Sequence, residues 1–162
     1  MTRTIVAAIA ACGLWTVQAC AQPAQPAAQN ATAFLAQNAL AEGVHTLPSG
    51  VQYKVLKSGP ADGQRPTPED LVKVDYEGKL LSGLVFDSSF KTGKPVTFRL
   101  KNLIKGWIDA LQLMRPGDEW VLYVPPSLGY GSEQAGQIPP NSVLVFRLQL
   151  LAVGDKAGPE SN

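Results

Sequence analysis

Cysteine is nearly absent. Cys12 and Cys20 are the only two, and the rest of the chain has none. No internal disulfide and no thiolate metal site can therefore form beyond residue 20. Histidine is scarcer still, with His45 alone, which narrows metal and acid–base chemistry and leaves a Cys–His dyad without its cysteine. Excess charge of one sign is missing too: 14 basic against 13 acidic residues give a net charge of +1. No basic cluster with interleaved aromatics occurs, so nothing electrostatic points to nucleic acid or an acidic surface as partner. There is no internal repeat, no P-loop and no dinucleotide-binding glycine pattern. The apolar run from Ile5 to Val17 is too short and weakly flanked for a membrane-spanning helix.

That run instead reads as an export leader, with Arg3 as its positive start and residues 1–21 as its extent. Ala19-Cys20-Ala21 fits a signal-peptidase site, leaving Gln22 first in a soluble periplasmic or secreted protein. Val17-Gln18-Ala19-Cys20 also resembles a lipobox, which would leave a membrane-anchored lipoprotein held through Cys20. Gln22 to Gln29 is a low-complexity Ala/Gln/Pro tract that cannot bury surface and reads as a tether. Ala31 to Glu42 is helical in composition, with Phe34, Leu35 and Asn38 near one face and Gly43 as its stop. Residues 22–44 thus form a tether and short helix, 45–154 a domain, and 155–162 a flexible tail.

From Leu47 the pattern is that of strands. Val51 to Val55, Val72 to Glu77, Val96 to Leu100, Trp120 to Val124 and Leu144 to Leu150 alternate. Between Asn102 and Met114, apolar residues recur at helical spacing; Asn102 suits the start and Arg115-Pro116-Gly117 the end, with Lys105–Gln112 as the helix proper. Five or six antiparallel strands around one short amphipathic helix make an α+β domain.

Several motifs share one further likeness. Val74-Asp75-Tyr76-Glu77-Gly78, Val85-Phe86-Asp87-Ser88-Ser89, Leu103-Ile104-Lys105-Gly106-Trp107, Pro125 to Gly131 and Ile138 to Phe146 resemble, in order and spacing, an FKBP-type peptidyl-prolyl cis–trans isomerase domain. The resemblance covers roughly residues 45–153. Phe34 to Asn38 and Leu47 to Tyr53 resemble the exported bacterial macrophage-infectivity-potentiator-like branch. Members of that branch with a dimerisation region carry a long helical segment here; this chain has room for a short one, which implies a monomer.

The resemblance implies a curved FKBP-like sheet, a cleft between helix and sheet, and action on X–Pro bonds of exported polypeptides without metal or organic cofactor. It places Trp107 at the cleft floor, Tyr76, Phe86 and Phe146 as walls, and Leu103, Ile104 and Ile138 at the rim. The Tyr130 hydroxyl and the Ile104 N–H would bond a substrate carbonyl, with Asp87 at the polar edge. Taken singly these residues read as core, half-buried strand or turn positions; only the ordered set carries the likeness. Three departures stand out. Val96 occupies a position where many members carry a pocket aromatic, which bears on rapamycin-like macrolide inhibitors. Lys105 replaces a frequent arginine, and the Ser132–Gln137 loop is about one residue shorter. Two other readings remain open here: an FKBP-fold chaperone or client-binding module, and a purely structural β domain.

Overall fold

The computed structural model describes residues 27–154. The leader, the cleavage and lipidation alternatives around Cys20, the first residues of the tether and the tail 155–162 lie outside the described residues. Along the chain follow α1 (Ala27–Asn38), β1 (Val44–Thr46), β2 (Gln52–Lys57), β3 (Leu71–Leu80), β4 (Val85–Ser88), β5 (Val96–Arg99), α2 (Lys105–Leu111), β6 (Glu119–Val124) and β7 (Leu144–Val153). The class is α+β, as expected. All strand pairs are antiparallel, in one sheet ordered β1-β2-β6-β7-β3-β4. β5 pairs with the first half of β3, on the edge that β4 takes further along.

Side chains on a strand alternate between faces, and burial follows that alternation. Val72 and Val74 of β3, Trp120, Leu122 and Val124 of β6, and Leu144, Phe146, Leu148 and Leu150 of β7 are all buried. Trp107, Ala110 and Leu111 of α2, with Met114 just beyond it, pack onto that face. The approach is close at Gly106: a Cβ there would stand 2.5 Å from Val124 Cγ1. Only a glycine lets the first turn of α2 lie flat on β6.

Part of the other face is met by α1. Tyr123 points away from its buried neighbours Leu122 and Val124, and its ring meets Phe34 at 5.9 Å between centroids. Ala31 is buried on the same helix face. The C-terminal end of α1 is tied to β2 through the buried Gln52 side chain. Its Oε1 accepts from Asn38 Nδ2 at 2.8 Å, and its Nε2 donates to the Leu35 carbonyl at 2.7 Å.

Three details differ from the sequence expectations. The sheet has seven strands rather than five or six, because Val44–Thr46 and Val85–Ser88 pair as strands too short to alternate visibly. α1 runs four residues earlier than Ala31–Glu42, ending where Asn38 turns its amide to Gln52. Gly43 (φ +75°) belongs instead to the turn that leads into β1. The apolar periodicity from Asn102 to Met114 overruns the helix at both ends. Asn102 closes a 3-10 turn after β5, Ile104 holds the N-cap position with no side-chain cap, and α2 stops at Leu111, one residue before Gln112.

Candidate active site

A cavity of about 410 Å³ opens where α2 crosses the sheet near β3 and β4. Its floor is Trp107, set by the first turn of α2 and 4% exposed. Edge-to-face contacts surround the indole: Tyr76 at 5.1 Å, Phe146 at 5.2 Å and Phe98 at 6.3 Å between centroids, at 77–84°. Phe86 meets Phe146 edge-on at 5.7 Å. Such pairs contribute about 0.5–1.5 kcal/mol each beyond burial, so the rings hold one another in place. The Trp107 Nε1 proton is buried with no partner among the described residues. The indole therefore meets neighbours through its edges and faces.

Room for this ring cluster comes from a missing side chain. A Cβ on Gly78 would lie 2.6 Å from Phe86 and 2.8 Å from Phe146. β3 thus passes directly beneath two aromatic walls at the point where β4 brings Phe86 back alongside it.

Polar groups gather at one side of the opening. The Tyr76 hydroxyl donates to Asp87 Oδ2 at 2.5 Å, across the β3–β4 pair. Burial first, then the hydrogen bond and charge of Asp87, push the Tyr76 phenol well above its ordinary value, with Tyr130 adding to the effect. Tyr76 therefore stays protonated and remains a donor. Tyr130 is 43% exposed and stands on the loop after the 3-10 turn Pro126–Leu128, which the Gly131 N–H fastens to the Pro126 carbonyl at 2.8 Å. Leu103 and Ile104 border the cavity from the segment entering α2. The Ile104 N–H makes no hydrogen bond among the described residues.

Eight of the ten residues singled out in the sequence line this one cavity: Tyr76, Phe86, Asp87 and Leu103, with Ile104, Trp107, Tyr130 and Phe146. Ile138 is not among the lining residues of the cavity and belongs to the buried cluster that includes Trp107 and Phe146. Its N–H and carbonyl both bond Ala135, and this bridge draws the side chain into the core, 5% exposed. Val96 does not line the cavity either; it pairs with Val74 at the far end of β5. The wall on that side is Phe98, two residues on and on the same strand face. Phe98 and Asn102 are the lining residues that the sequence reading missed. Strand parity with Val96 was the available signal for Phe98, and adjacency to Leu103-Ile104 the signal for Asn102. Among the described residues no three His, Cys, Asp or Glu side chains gather as a metal site, and no helix is long and apolar enough to cross a membrane.

Comparison with known proteins places this geometry in context. The sequence profile described as FKBP-type peptidyl-prolyl cis-trans isomerase matches residues 63–151, and that of the domain amino-terminal to such isomerases matches residues 3–55. The peptidyl-prolyl cis-trans isomerase Mip of Coxiella burnetii is 52% identical over 130 residues, 80% of this chain and 56% of that protein. The outer membrane protein MIP of Legionella longbeachae is 45% identical over 122 residues, 75% of this chain and 52% of that protein. The chain thus spans about half the length of these curated relatives. The crystal structure of a peptidyl-prolyl cis-trans isomerase from Pseudomonas syringae superposes with a TM-score of 0.74 at 36% identity, covering 82% of this chain and 97% of that one.

Proposed function

The chain belongs to the FKBP-type peptidyl-prolyl cis-trans isomerases, and from this we propose that it speeds rotation about X–Pro bonds in exported polypeptides. The observation that carries the reading is the aromatic cavity itself, apolar over its floor and walls and polar at one edge. An X–Pro bond prefers trans by only about 0.5–1 kcal/mol, yet its rotation faces a resonance barrier of about 18–20 kcal/mol. No covalent bond is made or broken. Catalysis consists of holding the twisted amide better than either planar form. Twisting reduces the charge separation of the amide, so an apolar, water-poor cleft favours the twisted state.

In this reading the prolyl ring rests on Trp107 between Tyr76, Phe86, Phe98 and Phe146. The Ile104 N–H and the Tyr130 hydroxyl bond carbonyls of the substrate, while Asp87, held by Tyr76, faces the twisting bond. Rapamycin-like macrolides fit the same cleft, with Phe98 standing in for the wall that Val96 does not provide. The domain acts as a monomer, a reading supported by the turn of Ala31 and Phe34 of the short α1 toward its own sheet. Residues 1–21 direct export to the periplasm or beyond, through simple cleavage rather than lipidation at Cys20.

A protease-coupled or magnetisation-exchange assay on residues 22–162 tests the reading, with Phe86→Ala and Trp107→Ala beside the wild type. Both variants are expected to lose about a hundredfold in kcat/KM while remaining folded by circular dichroism. An inactive but folded wild type would move the function to client binding.

A further inference from the structure

Two serines follow Asp87, and the fold treats them in opposite ways. The Ser88 hydroxyl is buried with no hydrogen-bond partner among the described residues. Ser89, 3% exposed, is a hub. The cause lies in β3, whose outer edge changes partner along its length. β5 pairs with it as far as Val74, and β4 takes over at Glu77.

Asp75 and Tyr76 fall in the gap between the two. The backbone N–H and carbonyl of Tyr76 face that edge, and Ser89 satisfies both. Its N–H donates to the Tyr76 carbonyl at 2.9 Å, and its Oγ accepts the Tyr76 N–H at 2.9 Å. In an ordinary ladder the second bond would go to the Ser89 carbonyl. That carbonyl is engaged elsewhere, accepting from the Thr92 N–H, the Thr92 hydroxyl and the Gly93 N–H, which close the turn where the chain leaves the sheet. A serine hydroxyl has one proton and two lone pairs. The proton goes to Asp75 Oδ1 at 2.8 Å, which turns a lone pair toward the Tyr76 N–H.

We propose that Ser89 is a positioning residue for the Tyr76–Asp87 pair. Ser89 holds the backbone of Tyr76 and lies two residues after Asp87, so the pair is joined twice: phenol to carboxylate at the cleft, backbone to Ser89 behind it. The hydroxyl replaces a strand carbonyl, which lets the chain turn away directly after Asp87 without loosening β3 under Tyr76. This inference rests on the isomerase reading of the cleft.

The test uses the full chain and two readouts. Ser89→Ala is expected to lower kcat on a proline peptide about tenfold with a smaller change in KM, because Trp107, Phe86, Phe98 and Phe146 still receive the proline and only the Tyr76 wall is loosened. Isotope-labelled tyrosine NMR follows the Tyr76 phenol, assigned by its loss in Tyr76→Phe. In Ser89→Ala that phenol is expected to ionise at lower pH than in the wild type, since its contact with Asp87 is relaxed. Ser89→Thr keeps the hydroxyl and is expected to retain both properties. Ser88→Ala removes an unpartnered group and is expected to alter neither. If Ser89→Ala does not fold, Ser89→Cys, close in size but a weak acceptor, replaces it with the same expectations. A folded Ser89→Ala or Ser89→Cys that matches the wild type in Tyr76 titration and kcat overturns the proposal, even if its melting temperature falls. Should Tyr76→Phe keep full activity, the catalytic reading of Tyr76 fails, and the NMR titration alone decides whether Ser89 positions it.

Discussion

Tyr76 sits where strand, cleft and turn meet, and its titration carries a testable sign. Its folded-state pKa is raised, chiefly by burial and then by Asp87. In alkaline solution the unfolded chain therefore gives up this proton first. By linkage, the contribution of the phenol to stability is intact below about pH 10 and declines as pH rises further. The difference in unfolding free energy between wild type and Tyr76→Phe should be constant from about pH 6 to about pH 9 and shift against the wild type above about pH 10. Urea titrations at a series of pH values measure it; a difference that grows in favour of the wild type at high pH would contradict the assignment. Gly78 makes a second residue-scale prediction. Gly78→Ala drives a methyl into Phe86 and Phe146, so a loss of about 1–3 kcal/mol is expected from overpacking. Melting curves record that loss, and isomerisation rates should fall with it as the walls are pushed apart. The family resemblance marks Val96 as the pocket position on β5, whereas the ring that reaches Trp107 is Phe98. Parity puts both on one face, and only the third dimension says which of the two reaches the helix.

At the scale of elements, the C-terminal end of α1 is held by one amide. Gln52→Ala removes the acceptor for Asn38 and the donor to Leu35 together, for a loss of about 1–2 kcal/mol. Hydrogen exchange should show α1 losing protection while β6 and β7 keep theirs. Uniform loss of protection would mean that the helix is not a separate layer but part of the cooperative unit. The same contact explains why the end of α1 was misplaced in the sequence. Composition from Ala31 to Glu42 favours helix throughout, and the chain leaves the helix after Asn38 because a residue fourteen positions away takes its side chain. Strands with a long buried face, such as Val72 to Glu77 and Leu144 to Leu150, were legible because burial on one side imposes alternation. Val44–Thr46 and Val85–Ser88 were not, because pairing at a sheet edge needs no pattern in three or four residues. The Lys105–Gln112 helix was legible to within one residue; the overrun of its periodicity to Asn102 reflects Leu103 and Ile104, which are apolar because they border the cavity.

At the scale of the molecule, the last strand lies in the interior of the sheet. β7 pairs with β6 on one side over its first half and with β3 on the other over nearly its whole length. Leu148→Ala, at a fully buried point facing both Trp120 and Tyr76 across the ladders, is expected to lower stability by about 2–5 kcal/mol. Chemical denaturation should show one transition shifted as a whole, since no part of the sheet is insulated from that position; two separated transitions would refute this. The central place of β7 also fixes an order of events for a chain delivered N-terminus first from a ribosome. Tyr76, Phe86 and Trp107 arrive early but have nothing to close against. Phe146 comes last, on the strand that joins the two halves of the sheet. Until that strand is handed over, the emerging chain carries most of the lining of the cavity and has no closed cavity.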